Sequence, residues 1–293
     1  MSFSIAQFNI RDAINYNKKS DYVFNKEVLK EFPELLEPRD SEKFAWVVLA
    51  LQKDHSFKLH ECDGKLGWHT YTAIQKGTPP NYIVIRGEQR PINTRGEYKI
   101  LTWQEKGGLD LHPFGNFSKR KQPPKAITLH WGGLDALHCF RVFASNSRQV
   151  SSHFLIGLDA KMKGVVYQTL DITHKAWHGG WVNDWTIGVD ICQSPLPTWK
   201  EHYLTKGYDI QEKENETSRG HKVLMTLDSR LAAVAESFIE DLLEALDWSW
   251  VAPADHKVYK ADIKDYTVFG HHHSNERKFD IAPWWHQIFP EEG

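Results

Sequence analysis

The apolar positions of this chain change their period along its length. Residues 41–53, SEKFAWVVLALQK, carry an unbroken apolar run of eight from Phe44 to Leu51, with Ser41 placed to cap it, and this predicts a buried helix. A second helical segment, WHTYTAIQK, follows the turn-forming pair Asp63-Gly64. Short strand-like runs then appear at NYIVIRG (81–87) and YKILTW (98–103). Beyond residue 120 come AITLHW, SHFLIGL, GVVYQTL, TIGVDI and YTVFGH, all β-rich. Between them lie DALHCFRVFASN and a segment from Asp228 to Trp248. In the latter, Leu227, Leu231, Val234, Phe238, Leu242 and Leu246 recur every three to four residues, the spacing of an amphipathic helix.

Strands interrupted by helices predict an α/β fold, a mixed central sheet flanked by helices, preceded by a small helical domain. The expected organisation is a helical domain over 1–80 with its core at 41–76, a linker with short strands over 81–120, and a main domain over 121–293. The charged segment DIQEKENETSRGHK reads as a solvated excursion ahead of the long helix.

Composition narrows the function. With 36 Lys and Arg against 38 Asp and Glu, the formal charge is −2, which argues against a nucleic acid or an anionic membrane as partner. The longest apolar run is far short of the roughly 20 residues of a transmembrane helix. The start, MSFSIAQFNIRDAINYN, is too polar for a secretory leader, so synthesis in the cytoplasm without a signal peptide is expected. Three cysteines, Cys62, Cys139 and Cys192, are too few and too scattered for a disulfide framework and read as small buried hydrophobes.

Histidine is the unusual feature. Of 16, twelve fall after residue 120, which directs the search for a metal site there. His130 ends a strand and precedes the turn Trp131-Gly132-Gly133; alone, it would read as a hydrogen-bonded core histidine. Gly270-His271-His272-His273 follows another strand, and Asp280 lies nine residues beyond His271. Two imidazoles and a carboxylate would meet the needs of a catalytic zinc ion, three protein ligands and one open position.

In order along the chain, ITLHWGG, QVSSHFLIGLD with VVYQ, AWHGG, TIGVDI and GHHHSNERKFD resemble the zinc-dependent N-acetylmuramoyl-L-alanine amidases of type 2, from His130 to Trp285. That resemblance implies one zinc per chain, held by His130, His271 and Asp280, with His272 or His273 as substitutes for the second ligand. It implies that Asp190 is the general base and that Lys278 faces the developing oxyanion; some branches use a tyrosine where this chain has Ser152. His178 and Trp131 are the residues expected to meet substrate, His178 touching substrate or a metal-bound oxygen or else standing behind a ligand. The family's Pro-Gly-Pro after the last ligand is replaced by Ile281-Ala282-Pro283.

Within 41–76, Leu51-Gln52, Asp63-Gly64, Gly67, Thr70 and Ala73 are similar to a small helical peptidoglycan-binding domain. Together the two resemblances imply a peptidoglycan hydrolase that cleaves between the lactyl group of N-acetylmuramic acid and L-alanine. A phage lysin or a wall-targeting effector fits best, acting on the wall after release or delivery. The alternatives are a cytoplasmic muropeptide-recycling amidase and a recognition protein that does not cleave.

Overall fold

A computed structural model describes residues 9–20, 22, 24, 26–54, 64–66, 70–71, 74, 81–92, 94–145, 148–215 and 220–290. The chain divides into two compact units, Met1–Asn81 with Pro91–Asn93, and Tyr82–Arg90 with Thr94–Gly293. Among the described residues no helix is long and apolar enough to cross a membrane.

The first unit is helical. Ser41 caps the helix Glu42–Asp54, its Oγ accepting from the Phe44 amide at 3.0 Å. Phe44, Val48 and Leu51 then pack with Phe24, Val28, Leu35, Leu66 and Ile74. Inside that core Gln52 is 1% exposed: its Oε1 accepts from the Gly64 amide at 2.8 Å and its Nε2 donates to Thr70 Oγ1 at 2.9 Å. Asn17, from a preceding helix Ile10–Asn17 that the sequence reading did not single out, clamps the same turn. It accepts from the Leu66 amide and donates to the Gly64 carbonyl at 2.9 Å. Asp63, Gly67, Ala73 and Cys62 lie outside the described residues.

The described strands, in chain order, are β1 (Asn81–Ile85), β2 (Glu88–Ile92), β3 (Tyr98–Thr102), β4 (Phe117–Lys119), β5 (Ala126–Trp131), β6 (Phe154–Leu158), β7 (Gly164–Gln168), β8 (His174–Ala176), β9 (Thr186–Ile191), β10 (Glu212–Glu214), β11 (Val223–Met225) and β12 (Val268–Gly270). Six form the central sheet in the order β12-β5-β9-β6-β7-β3. The first four run parallel, β7 runs antiparallel to β6, and β3 runs parallel to β7, so the sheet is mixed. Residues 81–120, set apart above as a linker, therefore supply an edge strand of the main sheet through β3.

Both faces of the sheet are covered, which explains why its strands read as nearly continuous apolar runs. On one face Phe238, from the helix Ser229–Ala245, meets Phe154 of β6 with ring centroids 5.0 Å apart. That helix starts on Asp228, whose side chain accepts from the Arg230 amide, and stops where Asp247 adopts a left-handed φ of 56°. On the other face the helix Ala136–Phe143 packs Ala136 and Cys139 against Leu155 and Cys192. The charged excursion holds β10, which pairs antiparallel with β11 just beyond it.

Candidate metal centre

Alternation along β9 sends Ile187, Val189 and Ile191 to one face and Thr186, Gly188 and Asp190 to the other. Asp190 pairs in register with His130 of β5, so the two side chains share a face near the carboxyl ends of neighbouring parallel strands. Parallel to β5 on its other side, β12 ends at Gly270, opposite Leu129, and delivers His271 next in line. Three adjacent strands thus bring His271, His130 and Asp190 to one edge of the sheet, the usual site of ligand binding in open α/β sheets.

Asp280 arrives from the loop that returns after His271–Ser274. Its Oδ2 lies 3.5 Å from His130 Nδ1 and 3.1 Å from His271 Nδ1, and the two imidazole rings are 4.8 Å apart. These three residues form one of two groups, among the described residues, able to surround a metal ion. Ligands at 2.0–2.1 Å around a tetrahedral ion lie about 3.3 Å from one another, so the spacing fits an ion of the zinc type. Burial alone would raise the Asp280 pKa, but the two imidazoles beside it outweigh this and hold the carboxylate well below its ordinary range. Burial lowers the His271 pKa, and the nearby charges of His130 and Lys278 add to that, while Asp280 opposes it.

The loop that carries Asp280 is held by an unusual backbone. Ile281 takes a left-handed φ of 64°, a conformation that is costly for a β-branched residue. His272 donates from Nδ1 to the Asp280 carbonyl at 2.8 Å. A Cβ at Gly270 would stand 2.4 Å from Ile281 Cγ2 and 2.6 Å from the His272 ring, so only glycine fits there. Of the histidine triplet, His271 alone joins His130 and Asp280. His273 accepts from the Gly270 amide at Nδ1 and donates from Nε2 to the Asp255 carbonyl at 2.8 Å. The two substitutes considered for the second ligand therefore serve the backbone around the site.

His178 sits behind His130. Its Nδ1 is 3.0 Å from His130 Nε2, and its Nε2 is 3.4 Å from Thr186 Oγ1, which itself donates to the Val182 carbonyl at 2.9 Å. With His130 Nδ1 turned to Asp280, one proton order satisfies this chain: His130 Nε2–H donates to His178, and His178 Nε2–H donates to Thr186. Burial, reinforced by the charges of His130, His153 and Arg120, pushes the His178 pKa far down and keeps the ring neutral, as the relay requires. The ring lies over Gly188, where a Cβ would meet His178 Cγ at 2.6 Å and Ser152 Oγ at 2.7 Å. The glycine in TIGVDI is thus what lets His178 reach His130.

Asp190 is 7% exposed. Burial raises its pKa, Asp280 adds to the rise, and His130 and the Ser152 hydroxyl act against it. A carboxyl raised in this way is a better proton acceptor near neutrality than a solvated aspartate. Lys278 is exposed on the loop before Asp280, close enough for its charge to act on His271. Trp131 and Phe279, with ring centroids 5.9 Å apart, make a half-buried aromatic wall beside the centre.

Arg120 escaped the sequence reading, hidden in the basic run NFSKRKQPPK. It is 8% exposed and donates to the carbonyls of His174, Asn183 and Thr186, each at 3.0 Å, strapping together the ends of the segment that carries His178. Next to it His153 accepts from the Gly188 amide at Nδ1 and donates from Nε2 to the His174 carbonyl; burial first, then the Arg120 charge, lower its pKa to about 3. Nothing in the sequence separates Arg120 from its exposed neighbours Lys119 and Lys121.

Residues 120–282 match the family described as N-acetylmuramoyl-L-alanine amidase. Among solved structures, the chain is similar to the catalytic domain of XlyA at 18% identity, covering 65% of this chain and 96% of that one with a TM-score of 0.38. It is similar to a mutant endolysin from Bacillus subtilis at 18% identity, with coverage of 65% and 96% and a TM-score of 0.40. It is also similar to a derivative of AmpD at 19% identity, with coverage of 59% and 88% and a TM-score of 0.30. No curated protein matches.

Proposed function

We propose, from the premise that this chain belongs to the N-acetylmuramoyl-L-alanine amidase family, that its peptidoglycan amidase activity is that of a zinc-dependent lysin. One observation supports this above all: His130, His271 and Asp280 converge on a single point, with the raised carboxyl of Asp190 beside His130. Zinc held there would act as a Lewis acid toward the lactyl carbonyl of N-acetylmuramic acid and would make water a better nucleophile.

The remaining chemistry belongs to the chain. Asp190 takes a proton from the attacking water, and the same proton is available for the nitrogen of L-alanine as the C–N bond breaks, so the products are a lactyl carboxylate and a free amine. Lys278 faces the oxyanion that develops on the carbonyl oxygen. His178 and Thr186 fix the tautomer of His130, as partners behind metal-binding histidines generally do. Trp131 and Phe279 offer an aromatic wall for the sugar or the stem peptide.

The helical unit, whose core is wired through Gln52, Gly64 and Thr70, serves as an anchor on the polymer and raises the local concentration of substrate. This suits a phage lysin or a wall-targeting effector better than an enzyme acting on diffusing fragments. Digestion of purified sacculi with and without chelator, followed by mass spectrometry of the released ends, tests the reading. New N-terminal L-alanine that disappears with chelator is the expected result; new reducing sugar ends, or cleavage indifferent to chelator, would refute it.

A further inference from the structure

Two of the cysteines that look scattered in the sequence meet in the fold. Cys139 lies on the helix Ala136–Phe143, which follows the turn after His130, and Cys192 directly follows β9, two residues beyond Asp190. Both are buried and both are free thiols. We propose that Cys139 and Cys192 are a dithiol built to close into a disulfide when the chain passes into an oxidising compartment, clipping together the ends of the strands that carry His130 and Asp190.

The two sulfurs share one small space. A Cβ at Gly132 would stand 2.6 Å from Cys139 Sγ and 3.2 Å from Cys192 Sγ, so the glycine after Trp131 is what lets both sulfurs occupy it. The two thiols interact directly there, packed with Ala136 and Leu155. Each sulfur is also tied to the backbone beside the amidase centre. The Gly133 amide donates to Cys139 Sγ at 2.7 Å, and Cys192 Sγ donates to the Asp190 carbonyl at 3.6 Å. A bond between them would therefore join the turn after His130 to the end of β9. It would close a loop that contains β6, β7, β8 and β9, and cross-links between residues so far apart in sequence constrain the unfolded chain most.

Burial pushes the Cys192 thiol up, and the Cys139 thiol and the Asp190 charge add to the rise. A thiol held protonated and out of solvent resists attack while the fold is closed, so the bond forms as the chain folds or opens locally in the presence of an oxidant. The oxidant is a small-molecule disulfide. One cysteine, as thiolate, attacks it and releases one half, leaving a mixed disulfide; the other cysteine then attacks the protein's own sulfur and releases the second half. The Cys139–Cys192 bond forms, the oxidant's S–S bond breaks, two electrons pass from the cysteines to the oxidant, and the two cysteine protons end on the released thiols. An oxidising setting follows from action on the wall, so the proposal rests on that reading for where it operates, while its test needs no turnover.

Refolding the full-length chain in glutathione disulfide or in reduced glutathione, followed by thiol titration in denaturant and peptide mapping by mass spectrometry, tests it. The reduced sample should titrate all three cysteines. The oxidised sample should titrate Cys62 alone, should yield the peptides of Cys139 and Cys192 as one cross-linked species, and should melt about 5 °C or more higher. Cys139→Ser and Cys192→Ser should each abolish that shift, and Cys62→Ser should keep it. Because the first readout is made on the parent, it stands even if a variant fails to fold. Three free thiols after refolding in glutathione disulfide, a cross-link that involves Cys62, or a Cys139–Cys192 bond that lowers the melting temperature would overturn the proposal. Amidase turnover, measured separately on the reduced protein, reports on the zinc centre, so the two claims fail independently.

Discussion

Replacing His178 by alanine tests how the sheet sets up its metal ligands. The change removes the acceptor 3.0 Å from His130 Nε2 and the ring that lies over Gly188, while leaving His130, His271 and Asp280 themselves unaltered. Two estimates of the cost can be compared. A buried N–H left without a partner costs about 1–3 kcal/mol. Loss of the partner behind a metal-binding histidine typically costs about 10- to 100-fold in affinity, or about 1.4–2.7 kcal/mol, and the two ranges agree. The expected outcome is a 10- to 100-fold rise in the zinc dissociation constant, read by competition with a chromophoric chelator at pH 7. His178→Gln, whose amide oxygen can accept the same bond, should recover part of the loss. Affinity for the alanine variant within about threefold of the parent would refute the relay and return His178 to a role toward substrate.

Four further outcomes follow from the same geometry. Asp190→Asn should retain zinc while turnover on sacculi falls about 10²- to 10⁴-fold, and the parent's acid limb should lie above the usual aspartate range because burial raises this carboxyl. A change of less than about threefold would make Asp190 a structural group. Gly188→Ala drives a methyl group into the His178 ring and should cost about 1–3 kcal/mol of stability together with zinc retention, so an unchanged melting temperature would contradict the packing described. His153 has a folded pKa of about 3 against about 6.5 unfolded. The unfolded chain therefore binds the extra proton between these values, and stability present above pH 6.5 is lost as pH falls, by up to about 1.4 kcal/mol per unit; urea midpoints at pH 7 and pH 5 should show the slope, and His153→Gln should flatten it. Gln52→Ala should weaken co-sedimentation of the full chain with sacculi in the presence of chelator, whereas equal retention would remove the anchoring role from the helical unit.

The sequence showed the site through its strands more clearly than through its histidines. AITLHW and TIGVDI are apolar enough to be central strands, and the polar residue near the end of each, His130 and Asp190, proves to be a register pair. The helix Ser229–Ala245 was equally legible, because a six-residue apolar stripe has few other ways to be buried. Which member of the triplet joins Asp280 was not legible, since the answer depends on a left-handed Ile281 and on hydrogen bonds to carbonyls at 255 and 280. Arg120 was hidden for the same reason: its three partners are backbone oxygens, which carry no side-chain signature. The edge strand β3 was seen as a strand, but its partner Gly164–Gln168 lies more than sixty residues away and no local pattern announces the pairing.

The central claim is that amide cleavage depends on an ion held by His130, His271 and Asp280. Turnover on sacculi, measured while zinc is titrated into the metal-free protein, tests it most directly. Turnover should rise linearly and level off at one equivalent per chain, and the His130→Ala protein should stay inactive throughout. Full turnover in the metal-free protein, or activation of His130→Ala by the same zinc, would contradict the account.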